Sequence, residues 1–153
     1  MTAIAVSQGS FRVERHLAAS PARVFQAWSQ PEQLALWAAP AEGWAFVIKG
    51  FEFRVGGGAT FEFGPPGEAP YVDQTRYDDI IPNRRIVTAY AISRGETRIS
   101  SSVSCLEFLA EEEGTLVRVI ETGVFLDGRE TALIREGGVR QQMAQLAQFI
   151  AGR

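Results

Sequence analysis

Apolar and polar positions alternate along Phe11-Arg12-Val13-Glu14-Arg15-His16-Leu17, which puts Phe11, Val13 and Leu17 on one face. A period of two is that of a half-buried strand. The preceding residues, 1–9, show no clear period and are read as a frayed terminus. Ser20-Pro21 then changes the period. A hydroxyl cap followed by proline at the first helical position starts a helix, because that position needs no amide hydrogen. Val24, Phe25 and Trp28 follow at helical spacing. Gln30-Pro31-Glu32 starts a second short helix through Leu34 and Trp37, and Pro40 closes it.

From Trp44 to Gly123 the pattern is that of successive strands: Trp44–Phe53, Ala59–Phe63, Tyr71–Ile80, Arg85–Ile92, Arg98–Leu109 and Thr115–Gly123. The breaks between them, such as Gly56-Gly57-Gly58, Gly64-Pro65-Pro66-Gly67 and Ile81-Pro82-Asn83, supply turn chemistry. Short strands joined by tight turns pair antiparallel, since parallel neighbours need long crossovers. Beyond Asp127-Gly128, Val139, Met143, Leu146 and Ile150 form the stripe of an amphipathic helix. Gly137-Gly138 lies in or at the start of that helix and costs about 1 kcal/mol per glycine against alanine. A kink or a close approach is expected there.

Composition narrows the classes. The 153 residues predict one domain, at roughly 150 residues per domain. A net charge of −3 argues against a protein held on nucleic acid by bulk charge. One cysteine, Cys105, excludes an internal disulfide, and with His16 as the one histidine the usual Cys/His zinc sites are excluded too. No metal or other cofactor is expected. Met1–Val6 lacks a cationic leader, and no apolar run approaches about 18 residues. The expectation is a soluble, cytoplasmic protein with no membrane insertion, monomeric or homodimeric.

Strand, two short helices, antiparallel strands and a long terminal helix is the order of an α+β helix-grip fold, a curved sheet wrapped around its last helix. The sequence resembles the SRPBCC superfamily, which includes START-type lipid-binding domains and the birch-pollen allergen. Its nearest branch by motif is the one named after the activator of the ninety-kilodalton heat-shock protein's ATPase. The residues carrying the resemblance are Ala19 to Trp28, Pro31-Glu32, Trp37, Pro40, Phe53-Arg54-Val55-Gly56-Gly57, Tyr77 to Val87 and Gly114-Thr115. Glu121 to Gly128, with Arg135-Glu136, resembles a bacterial subgroup. The likeness runs from about residue 10 to 150, so residues 10–153 are read as one SRPBCC-like ligand-binding domain. Ala38-Ala39 and Gly138-Val139 depart from the branch pattern by removing bulk, and an enlarged or reshaped pocket mouth is the expectation.

Candidate chemistry starts from Glu121, in register with Val117 and Val119 on the last strand. Either it enters the cavity, where an unpaired carboxylate is costly, or it reaches solvent at the strand end. Two valines would waste apolar surface on a solvated face, which favours the inward orientation. Arg54 is the expected partner, through its motif; a structural ion pair at a strand end is the alternative. Tyr71, Asp73, Tyr77 and Asp79 alternate on one strand face, so they either orient a polar ligand group or decorate a solvated face. Trp28 and Trp37 either line the opening or belong to the core. Cys105, in an alternating apolar strand, reads as a small buried hydrophobe. No catalytic residue is identified, since nucleophile elbow and phosphate loop are both missing.

The resulting expectation is non-covalent binding of a small, largely apolar or amphipathic molecule between sheet and terminal helix. The ligand residues would be Glu121, Arg54, Trp37, Tyr71, Asp73, Tyr77 and Trp28. The alternatives are a cyclase or dehydratase acting on a polyketide-like or aromatic substrate, and a single-domain co-chaperone. The last is disfavoured, because activators of that type use a further domain to grip their client.

Overall fold

The structure is a computed structural model that describes residues 5–152. β1 (Ser7–Leu17) leads into α1 (Pro21–Ser29) and α2 (Pro31–Trp37). Six strands follow: β2 (Ala45–Phe51), β3 (Gly58–Gly64), β4 (Tyr71–Ile81), β5 (Arg85–Arg94), β6 (Thr97–Glu111) and β7 (Gly114–Phe125). The chain ends in α3 (Ala132–Ile150). The strands form one curved sheet in the order β1-β7-β6-β5-β4-β3-β2, antiparallel throughout. The α+β helix-grip expectation is borne out.

Ser20 caps α1 by accepting from the Arg23 amide, with Pro21 at the first position. Thr131 caps α3 in the same way, accepting from Ile134. Val139, Met143 and Leu146 are buried against the sheet, while Ile150 is half-buried at the end of the stripe. α3 crosses β1 where side chains are smallest: a Cβ on Gly9 would stand 2.7 Å from the Ala132 Cβ. That approach is what lowers the helix onto the sheet edge. α3 also holds α2. Gln145 donates to the carbonyls of Trp37 (2.7 Å) and Ala39 (2.6 Å), and Gln142 to that of Ala38 (2.7 Å). These bonds satisfy the carbonyls that the end of α2 leaves open.

Four expectations are corrected. Of residues 1–9, 1–4 lie outside the described residues, but Ser7–Gly9 are paired with β7 rather than frayed. α3 runs without a break through Gly137 and Gly138, and neither admits a close neighbour, since a Cβ at either would meet nothing within 4 Å. Cys105 is only half-buried, because it shares the outer face of β6 with exposed Val103 while Leu106 and Phe108 point inward. Asp79 does not share a face with Tyr77: a bulge between them turns it outward, where it accepts from Arg85 at 2.6 Å.

Candidate functional site

A cavity of about 980 Å³ lies between the sheet and α3, with α2 closing one end. Its closed end is apolar. Trp28 and Trp37 meet edge to face at 4.8 Å, and Trp28 meets Phe108 at 5.4 Å. The Trp37 indole N–H is satisfied by the Ala27 carbonyl at 3.0 Å, so the ring presents only its apolar body to the cavity. Leu34, Phe53, Phe61, Ile86, Leu106 and Met143 complete this chamber. At the other end Thr97, Arg129 and Ile134 line the cavity while exposed, and so mark its mouth. Beside it Tyr71 clusters with Trp44 (5.9 Å) and Phe63 (5.6 Å), which lie 6.5 Å from each other, and the Arg94 guanidinium is 4.6 Å from its ring.

Between chamber and mouth stands a polar belt. Val117, Val119 and Glu121 alternate inward on β7, and Glu121 is 3% exposed. Tyr90, facing it from β5, donates its hydroxyl to the Glu121 carboxylate at 2.5 Å. Arg135 of α3 donates to the Tyr90 oxygen (2.9 Å), the Ser100 hydroxyl (2.8 Å) and the Glu130 carboxylate (3.2 Å). Its Nη1 is 3.7 Å from Glu121. Burial pushes the Glu121 carboxyl up from its ordinary range, against the opposing pull of Tyr90 and Arg135. Burial, reinforced by the neighbouring Glu121 charge, pushes the Tyr90 phenol well up, which keeps it a donor.

Across the cavity, Asp73 of β4 has far less. Thr75 donates to its Oδ1 at 2.7 Å. Among the described residues Asp73 has no ion-pair partner, and its Oδ2 has no protein hydrogen bond. Its neighbours across the ladders are Phe61 on β3 and Ile92 on β5. Enclosure by these groups pushes its carboxyl up to about 7, against the Thr75 bond and the more distant Arg135, with the Glu121 charge adding to the rise. Its exposure is intermediate, because it faces the open cavity.

Residues 18–151 match the family described as Activator of Hsp90 ATPase homolog 1-like protein. The chain belongs to that family. An uncharacterised Rhizobium leguminosarum protein of known structure is 34% identical over 97% of this chain and 98% of its own, with a TM-score of 0.87. The Rhizobium loti protein Mll3558 is 33% identical over 94% and 98%, with a TM-score of 0.83. A family protein from Aeromonas hydrophila, at 15% identity and a TM-score of 0.70 over 94% and 93%, shares the fold. No curated protein matches. The SRPBCC-type resemblance read from the motifs is thus borne out by membership of the activator-like family.

Within this family member, the structure brings Glu121, Trp28, Trp37, Tyr71, Asp73 and Tyr77 to one cavity wall or another. Arg54 is not among them. The Phe53-Arg54-Val55-Gly56-Gly57 segment is a tight turn, closed by the Gly57 amide on the Arg54 carbonyl at 2.8 Å, with Gly56 at a φ of +84°. Phe53 turns inward, and Arg54 lies over the turn and pairs with Glu52 at 2.8 Å in solvent. The expected Arg54–Glu121 pair is therefore replaced by Arg135–Glu121. Arg135 and Tyr90 were missed, although both carry a signal. Arg135 is four residues before Val139, on the stripe that continues to Met143, and Tyr90 alternates with Ile86, Thr88 and Ile92.

Proposed function

We propose that the protein binds a small, largely apolar molecule, non-covalently and in the cytoplasm, as a single ligand-binding domain over residues 10–153. The ligand body occupies the chamber of Trp28, Trp37 and Met143, and its polar end meets the belt of Asp73, Tyr90 and Glu121. The observation that carries this reading is the cavity itself: about 980 Å³, apolar at its closed end, with its charged groups gathered in the belt and at the mouth. Apolar walls with a few convergent polar groups are the general form of small-molecule sites. Membership of a family whose wider superfamily includes lipid-binding domains supports it. Among the described residues no helix is long and apolar enough to cross a membrane.

A neutral fluorescent hydrophobe, N-phenyl-1-naphthylamine, tests the reading. It should bind the wild-type protein and be lost from a Thr88→Phe variant, in which a ring projects from the middle of the cavity wall. Equal binding by both proteins would place the probe elsewhere and defeat the proposal. Native mass spectrometry of freshly purified protein would reveal a retained natural ligand.

A second reading is favoured by one observation, the Asp73 carboxyl held near neutrality. A general acid or base works best when its pKa lies near the operating pH. A cyclase or dehydratase would use that carboxyl to move a proton on a substrate shaped by the apolar chamber. Conversion of a retained ligand on incubation, abolished by Asp73→Asn, distinguishes turnover from binding.

A further inference from the structure

We propose that the polar belt takes a protonated amine, carried on an otherwise apolar ligand, with the free oxygen of Asp73 as its counter-ion. This rests on the binding reading above and names the chemical class of its ligand.

Three observations converge on a cation. The first is that Asp73 alone among the belt's charged groups lacks an opposite charge: Thr75 serves one oxygen, and Oδ2 is left to the cavity. A lone carboxylate between Phe61 and Ile92 is costly until a donor arrives. The second is that Arg135 is already committed. Its Nε, Nη1 and Nη2 each hold a protein oxygen, so three of its five N–H donors are spent, and its charge already faces Glu121 and Glu130. An anionic ligand would also meet Asp73 and Glu121 on opposite walls. The third is the balance of charge: Asp73, Glu121 and Glu130 stand against Arg135 alone in the belt. At the mouth, Arg94 is paired with Glu68 at 3.2 Å, and Arg129 stands beside Asp127, whose Oδ1 accepts its backbone amide. One added ammonium reduces the surplus, and the rings of Phe61, Tyr71 and Tyr90 suit its flanks.

The charged and titratable groups facing Asp73 are Arg135 from α3, Glu121 from β7, Tyr90 from β5 and Tyr77 from its own strand. β3 presents only Phe61. As pH rises through about 7, Asp73 ionises and becomes competent to hold an ammonium. Amine affinity should therefore climb about tenfold between about pH 6 and about pH 8, in proportion to the ionised fraction. Both tyrosines stay protonated there, since burial moves them upward. Glu121, also raised, shifts in the same sense as Asp73, so a variant is needed to separate them.

Decylamine, decanol and decanoate, displacing N-phenyl-1-naphthylamine, provide the test. At about pH 8 decylamine should bind about tenfold or more tighter than decanol, with decanoate weakest. At about pH 6 that advantage should largely vanish while decanol is unchanged. Asp73→Asn should remove the amine preference at about pH 8, so that decylamine binds that variant no tighter than decanol does. Equal amine and alcohol affinity at about pH 8, a preference for decanoate, or an amine preference that survives Asp73→Asn would each overturn the proposal. None of these would touch the binding reading if decanol still displaces the probe. Failure of all three compounds to displace it would bring down both. If Asp73→Asn does not fold, the wild-type amine–alcohol difference and its pH dependence decide alone.

Discussion

The two walls of the cavity carry buried acids in opposite conditions. On the β7 and α3 side, Glu121 belongs to a completed set, accepting from Tyr90, which accepts from Arg135, which also serves Ser100 and Glu130. On the β4 side, Asp73 has one hydroxyl and, among the described residues, no cation. Both carboxyls are raised by burial, that of Asp73 to about 7. The difference separates two uses of the same residue type. The satisfied network ties α3 to the middle of the sheet and holds the cavity's shape. The unsatisfied acid leaves a bond for something else to make.

Breaking the satisfied side should cost most. Arg135→Ala leaves Glu121 and Glu130 without their cation inside the protein, and losing one partner of a buried pair typically costs about 3–5 kcal/mol. Urea denaturation should register that loss. A change below about 1 kcal/mol would mean that the belt holds little of the fold.

The unsatisfied side should respond with the opposite sign. Asp73 binds its proton more tightly folded than unfolded, so this group favours folding at low pH. That contribution is lost as pH rises from the ordinary carboxylate range through about 7. Asp73→Asn should therefore stabilise the ligand-free protein at about pH 8, by on the order of 2 kcal/mol, and do little at about pH 4. Thermal unfolding at the two pH values would show it. Destabilisation at about pH 8 would mean that the carboxylate has a protein partner after all.

The smallest effect is expected at Arg54. Its ion pair with Glu52 is exposed, so Arg54→Ala should change stability by less than about 0.5 kcal/mol. Combined with Glu121→Gln its effect should simply add, because the two residues share no partner. Non-additivity beyond about 0.5 kcal/mol would restore the coupling suggested by the sequence motif.

That last contrast shows where reading from sequence stops. The fold was legible because each element declares itself locally: Ser20-Pro21 starts α1, the glycine and proline turns separate the strands, and the Val139 stripe marks α3. Glu121 was legible as inward-facing from the alternation with Val117 and Val119. Its partner was not, because Arg135 comes from another element and pairing is settled by how α3 lies across the sheet. Alternation also misleads where both faces are mixed. On β6 the inward face begins with Ser100 and Ser102, both buried, whereas the apolar-looking Val103 and Cys105 face outward. On β4 a single bulge was enough to turn Asp79 away from Tyr77.

The central claim is that the chamber between sheet and α3 receives an apolar ligand, and Met143 offers a direct reporter. It is buried on that wall, and the chain has only two methionines. With carbon-13 in the methionine methyl groups, titration with N-phenyl-1-naphthylamine should shift the Met143 resonance until the probe saturates. The same resonance should stay still in Thr88→Phe. A probe that binds the wild-type protein while leaving the Met143 methyl unmoved would contradict the account.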